Sequence, residues 1–250
     1  VLPVEDFSPQ KLYERGKRQG LDYICFTDHD TMKAYDILGD RDGLVRGVEI
    51  RLRDLERVGH TIHTNVFGLN IEQFRELECI AKGKAKLTDA DMQDMQAGKR
   101  IGAENGNIEE FVNYCKSEDL AFQYNHPFWF EPNEEPNYKA IEDVIQMFPV
   151  IEHNMHRVES KNRQAVMLAE MYDKGVIATT DTHAGEIGKA CTFAWGNTFR
   201  EFYRNIEKRE SYLVPKDATK KNLAEEACNI IDIVFSPDVR VNFGEAVTRT

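Results

Sequence analysis

With 250 residues, 41% of them hydrophobic and 30% charged, the chain carries enough apolar material for a full core and too much to remain disordered. A formal charge of −11 argues against broad, salt-driven binding to long duplex nucleic acid, while leaving room for a small phosphorylated substrate beside bound divalent cations. No apolar run approaches the ~18 residues of a membrane span, no signal-peptide pattern opens the chain, and the five scattered cysteines (Cys25, Cys79, Cys115, Cys191, Cys228) read as reduced, mostly buried thiols of a cytoplasmic protein.

Helix and strand signals alternate along the chain. Ser8 before Pro9 is an N-cap with proline in the first turn, and Gly20 closes the helix that runs through Leu12 and Gly16. A strand at 21–27 comes next, then a segment loosened at Gly39 and Gly43, and a second strand at 45–50. Residues 51–59 are polar and turn-like, and 63–69 read as a third strand entering a helix near 71–81. Residues 82–106 differ in character. Lys82, Lys84 and Lys86 precede a short helix from Thr88, and Gly98, Gly102 and Gly106 loosen the stretch beyond it, the pattern of a solvated excursion or of an inserted lid. Alternation resumes with a helix at 108–116, a strand at 120–124, a helix at 138–147 and a strand at 150–152. A helix from Ser160 to Asp173, stopped by Gly175, leads into a strand at 176–180. Residues 198–250 form a C-terminal extension with amphipathic helices near 198–208 and 217–231 and a short strand-like end. Repeated strand–helix units predict a single α/β domain over 1–250, a parallel sheet or barrel with its active groups at the strands' C-terminal ends.

Metal-ligating residue types recur at those ends: His29 in Thr27-Asp28-His29-Asp30, Glu49 in Gly47-Val48-Glu49, His63, His126 in Asn125-His126-Pro127, Glu152, and Asp181 with His183 in Asp181-Thr182-His183. Each has a plain structural reading on its own, such as a helix cap, a strand end, an ion pair with Arg46 or Arg51, or turn chemistry. Their joint recurrence at successive strand ends points instead to a centre for Zn, Mn or Fe, with carboxylates able to bridge two ions and a bound water of pKa near ~7 as nucleophile. His60 and His153 read as structural, and Glu152 as a support for the ligands. Arg157 lies just past a strand end and can fork onto a phosphate, or form a surface ion pair; Lys189 is a weaker version of the same idea. Phe128-Trp129-Phe130 reads as an aromatic wall or as packing under a loop.

These motifs in this order, through Ile187-Gly188, resemble those of the PHP (polymerase and histidinol phosphatase) family over residues 1 to about 195. The resemblance implies a distorted (β/α)7 TIM-like barrel, two or three divalent metal ions, and hydrolysis of phosphate esters by a metal-bound hydroxide. Carried over by position, it makes His29, Glu49, His63, His126, Asp181 and His183 the metal ligands. The family's opening His-x-His is missing; by the place of the Ser8 helix the pair is expected just before Val1, so either the chain begins downstream of it or the protein lacks it, and Glu5 or Asp6, with Glu5 preferred, stands for the acid that comes after it. Two readings compete with a phosphoesterase of small phosphomonoesters or short nucleotides. One is a metal-dependent C–N or C–O hydrolase, and the other a non-catalytic module that lacks the first histidine pair.

Overall fold

The structure is a computed structural model that describes residues 8–96, 106–131, 134–183 and 185–224. The strands β1 (Ile24–Phe26), β2 (Leu44–Arg53), β3 (Thr61–Phe67), β4 (Ala121–Tyr124), β5 (Val150–Asn154) and β6 (Gly175–Thr179) form one sheet whose spatial order is their order in the chain. Between and before them run α1 (Pro9–Arg18), α2 (Lys33–Leu38), α3 (Leu55–Val58), α4 (Ile71–Lys82), α5 (Asp89–Gln96), α6 (Ile108–Ser117), α7 (Tyr138–Ile145) and α8 (Glu159–Met171). After β6, strands β7 (Cys191–Ala194) and β8 (Ser211–Val214) pair with each other and flank α9 (Phe199–Glu207). Helix starts obey the local chemistry. Ser8 accepts from the Lys11 N–H ahead of Pro9, Asn70 closes a capping box with Gln73, and Asn107, Asn137 and Thr198 cap α6, α7 and α9. Each cap satisfies an N–H that the helix leaves unpaired.

The sheet is mixed, which corrects the all-parallel expectation. β1–β2, β4–β5 and β5–β6 are parallel, but β2–β3 and β3–β4 are antiparallel. The cause is the link between β2 and β3. The polar stretch at 51–59 is partly strand, since β2 runs to Arg53, and the rest is a single helical turn, α3. That is too short for a parallel crossover and suffices for a reversal. Gly59 completes it at φ 73°, where an added Cβ would lie 2.0 Å from the Glu135 carbonyl. The first strand is also shorter than 21–27, and the barrel is not closed, since β1 and β6 remain the two edges of the described sheet. Both edges line one cavity, so the sheet curls into a half-barrel around it.

Alternation along the strands sorts two environments. Ile62 and Val66 of β3 face outward into the main core with Ile50, Leu52, Phe74, Leu77, Phe111, Ile141 and Phe148, all at most 3% exposed. At roughly 1.5–3 kcal/mol for each fully buried large side chain, this outer layer between sheet and helices carries most of the hydrophobic stabilisation. His63 and Asn65 alternate to the inner face, joined there by Glu49, Gln123 and Glu152, all buried. The concave side is thus polar around these residues, while Val45, Phe67, Ala121, Val150 and Ile177 on the same face pack with Tyr203 and Ile206 as a second apolar cluster. Of the thiols, Cys115 is buried while Cys25, Cys79 and Cys191 are only partly so; Cys228 lies outside the described residues. Among the described residues no helix is long and apolar enough to cross a membrane.

The lysine run at 82–86 is not uniformly solvated. Lys82 is 3% exposed, and its Nζ lies 3.2 Å from Asp30 Oδ1, 3.0 Å from Glu78 Oε2 and 3.3 Å from the Arg51 carbonyl. The Arg51 guanidinium grips the other Asp30 oxygen, 2.7 Å from Nε. Beyond it, Lys84 pairs with Asp91, Leu87 is buried and Met92 packs on the core. The lid expectation extends over 97–105, which lie outside the described residues, as does most of the helix expected at 217–231.

Burial pushes the Glu78 carboxyl up to about 7 from its ordinary 4.5, Asp30 adding to the effect and Lys82 opposing it. A raised carboxyl favours the folded state while protonated. The stability it contributes is therefore complete below about pH 4.5 and is lost as the pH rises through about 7. Glu78→Gln is expected to remove that loss, so that urea midpoints of variant and wild type diverge in the variant's favour between pH 5 and pH 8; parallel pH curves would count against it.

Candidate metal centre

The centre is assembled where β1 runs out. Past Phe26 the chain stays beside β2 through an isolated bridge between His29 and Glu49, with the Asp30 N–H donating to the Glu49 carbonyl (2.9 Å) and the Glu49 N–H to the Asp28 carbonyl (3.3 Å). Gly47 permits the close approach, since a Cβ there would lie 2.3 Å from Cys25 Sγ. On the other side, the Asn125 N–H donates to the His63 carbonyl (2.9 Å), which aligns the end of β4 with β3.

Glu49 is the hub. His63 Nδ1 lies 3.1 Å from its Oε1 and His126 Nε2 3.5 Å from the same oxygen, while His29 Nδ1 is 3.8 Å from Oε2. Asn125 donates to Oε1 at 3.0 Å and is itself held by Gln123. Ligating atoms of His29, Glu49 and His63 all fall within 4.8 Å of one another, the spacing a single ion needs. The donor set of imidazole nitrogens around a carboxylate suits Zn, Mn or Fe. His63 Nε2 is buried without a hydrogen-bond partner, and the nearest acid, Glu131, stands at 3.9 Å. An orphaned buried nitrogen in such a cluster fits a metal ligand.

This packing sets the electrostatics. Burial alone would raise the Glu49 carboxyl, but His29, His126 and His63 hold it well below its usual value. Burial works against a charged His63, yet the Glu131 and Glu49 carboxylates bring it up to about 9. His126 goes the other way, to about 4, because burial outweighs its bond to Glu49 and Arg157 adds repulsion.

Asp181 and His183 stand on the opposite lip of the same cavity, outside the compact His29–Glu49–His63 group. Asp181 Oδ2 accepts from Asn154 Nδ2 (2.9 Å) and lies 3.4 Å from Arg157 Nη2. His183 is exposed and faces Asp28. Glu152 lies buried in β5. It accepts from the His126 N–H (2.9 Å), from Asn154 and from the Thr179 hydroxyl, and burial beside Asp181 pushes its carboxyl up to about 8. Arg157 is half-buried with its guanidinium 5.1 Å from the Trp129 ring centre. Lys189, by contrast, is exposed and paired with Glu186, and Glu5 lies outside the described residues. His60 is structural, with its ring nitrogens 3.1 Å from the Val58 carbonyl and 3.2 Å from the Tyr124 hydroxyl. The aromatic run divides its work: Phe128 and Phe130 pack on Tyr138, while Trp129 touches His63, His126 and Arg157.

Asn154 and Glu131 are functional neighbours that sequence reasoning missed. Asn154 was accessible, because it sits two residues from Glu152 and so shares its inward face. The backbone holds another signal. Asp30 (φ 53°), His126 (φ 29°) and Asp181 (φ 43°) all occupy the left-handed region, one at each of three strand-end motifs. Strained positions of this kind gather at binding and catalytic sites.

No family model matches the chain, and no curated protein matches it. Solved structures do. The lesion-specific endonuclease PfuEndoQ from Pyrococcus furiosus aligns with a TM-score of 0.53 at 15% identity, over 85% of this chain and 54% of that one. PsfC from Pseudomonas syringae PB-5123 aligns at 0.51 with 14% identity, over 89% of this chain and 87% of that one. An amidohydrolase from Chromobacterium violaceum, solved with bound sulfate and no metal, aligns at 0.48 with 15% identity, over 83% and 92%. At these identities the similarity is one of fold.

Proposed function

We propose that this chain is a metal-dependent phosphoesterase of the PHP type, acting on small phosphomonoesters or short nucleotides. The observation that carries the reading is the His29–Glu49–His63 cluster, whose His29 and Glu49 line one cavity with Asp181, the partner of Arg157. His29, Glu49, His63, His126, Asp181 and His183 would hold two or three divalent ions (Mn, Fe or Zn), which would supply positive charge to phosphoryl oxygens and lower the pKa of water towards ~7.

The protein's own groups do the positioning. Arg157, braced against the face of Trp129, donates from Nη1 to the His156 carbonyl (3.1 Å) and from Nη2 to Asp181 (3.4 Å), contacts it would exchange for a phosphate. Glu152 ties the His126 backbone to Asn154 and Thr179, and Asn154 in turn fixes Asp181, so the two lips are held in register. The test is elemental analysis of gently purified protein, then metal-dependent release from a panel of phosphate mono- and diesters. Turnover of amides or lactones but not phosphates would favour the C–N/C–O reading, and bound metal without turnover of either would favour a non-catalytic module.

Arg157→Lys keeps the charge but loses the bidentate fork. With a charged hydrogen bond worth about 1.5–3 kcal/mol, KM for a phosphomonoester is expected to rise roughly 10- to 100-fold with metal content unchanged. An unchanged KM would remove Arg157 from the phosphate site.

A further inference from the structure

After β8 the chain comes back to the end of β5. Residues 215–219 belong to no helix or strand, yet both ends of the stretch are held. On one side β8 pairs Val214 with Cys191 of β7; on the other, Thr219 Oγ1 accepts from the Asn222 N–H (3.1 Å) and the Thr219 carbonyl from the Leu223 N–H (3.0 Å). Between these anchors the Ala218 N–H donates to the Arg157 carbonyl (2.9 Å). Asp217 Oδ1 accepts from Asn162 Nδ2 (2.7 Å) and lies 3.4 Å from His153 Nε2. The stretch is a strap tied to the turn that carries Arg157.

Asn162, buried on α8, gives the strap its leverage. Its Oδ1 accepts from the Asn154 N–H (3.1 Å), and its Nδ2 is shared among the Asn154 carbonyl (2.9 Å), the Arg157 carbonyl (3.2 Å) and Asp217. One amide thus fixes the backbone at Arg157 and at Asn154, whose own side chain holds Asp181. Of the three acceptors on Nδ2, Asp217 is the closest and the only ionised one, and charge-assisted bonds are roughly twice as strong as neutral ones. Without it the amide keeps two carbonyls, and the strap keeps Arg157 only through the Ala218 N–H. The position of that turn matters, because from it the Arg157 guanidinium reaches the Trp129 face and Asp181, and a displacement of about 1 Å in a positioning group can cost up to 10²-fold in rate.

We propose that Asp217 is a positioning residue of the site: acting through Asn162, it holds the turn at 154–157 so that the Arg157 guanidinium stands on Trp129 beside Asp181. The C-terminal extension thereby takes part in the site without a group that touches the substrate. The proposal rests on the phosphoesterase reading for what Arg157 binds, but not for the hold of the strap on Arg157.

The experiment compares Asp217→Ala with Asp217→Asn in the full chain, each checked by circular dichroism, on 4-nitrophenyl phosphate. Asp217→Ala removes the acceptor, and KM is expected to rise about 3- to 10-fold with metal content unchanged. Asp217→Asn keeps Oδ1 as an acceptor for Asn162 and is expected to stay within about twofold of wild type. A second readout needs no turnover. In a Trp195→Phe background Trp129 is the one tryptophan left in the chain, and its fluorescence reports the cation on its face. Asp217→Ala is expected to change that emission in the direction Arg157→Ala does, and Asp217→Asn to leave it as it is. Should Asp217→Ala not fold, Asp217→Glu, which displaces the carboxylate by one methylene, makes the same comparison. Wild-type KM and emission in Asp217→Ala, with or without a lower urea midpoint, or an Asp217→Asn as impaired as Asp217→Ala, would overturn the proposal. An emission change in a chain that turns over no phosphate ester would keep the strap and sink the phosphoesterase. Turnover with KM and emission both indifferent to Asp217→Ala would do the reverse.

Discussion

Glu49→Gln is expected to strip the metal centre and to reduce phosphate-ester hydrolysis by at least about 10³-fold. One carboxylate here serves three imidazoles: His63 and His126 converge on Oε1 and His29 approaches Oε2. Glutamine keeps the shape, but it removes the negative charge and turns one acceptor into a donor aimed at ring nitrogens. Metal charge is worth several kcal/mol in such reactions, and each 1.36 kcal/mol is tenfold in rate, which sets the size of the loss. Elemental analysis read beside the hydrolysis rate separates a lost ion from a damaged site. A variant that keeps wild-type metal would place the centre elsewhere.

Lys82→Met is expected to cost about 3–5 kcal/mol of folding stability, the range for removing one partner of a buried ion cluster. Lys82 is the cation between Asp30 and Glu78, and all three side chains are at most 5% exposed. Without it, Arg51 alone must balance Asp30, and Glu78 must stay protonated. Asp30 also adjoins His29, so the loosened loop should weaken metal retention even where the protein stays folded. Urea denaturation at pH 7 measures the first effect. A companion Lys82→Met/Glu78→Leu variant, which removes both ends of one pair, should recover part of the loss. A deficit under about 1 kcal/mol in the single variant would show that the cluster is hydrated rather than buried.

The strand-end motifs were legible because their signal is local: an apolar run ending in an imidazole or carboxylate is visible one segment at a time, and His29, Glu49 and His63 do come together. Strand direction was not. Whether β3 runs with or against β2 depends on the few residues of α3, and polar residues at 51–59 look alike as a loop or as a strand end with one helical turn. Lys82 was misplaced for a related reason. Beside Lys84 and Lys86 it looks solvated, yet it lies four residues after Glu78 on the face of α4 that also buries Phe74, Leu77 and Ala81. The helical spacing was the better guide.

Because spatial order in the sheet repeats chain order, each strand docks on the one made just before it. During synthesis, β2, β3 and the start of the segment after β4 can bring Glu49, His63 and His126 together while β6 is still unmade. The lip bearing Asp181 and His183, and the far wall of the cavity, wait for the last strand of the sheet. A chain arrested before residue 175 would therefore expose a half-built histidine cluster able to capture a metal, but with no second lip to do chemistry with it. The second lip would be added only once β6 is made, after the first ion has had the chance to bind.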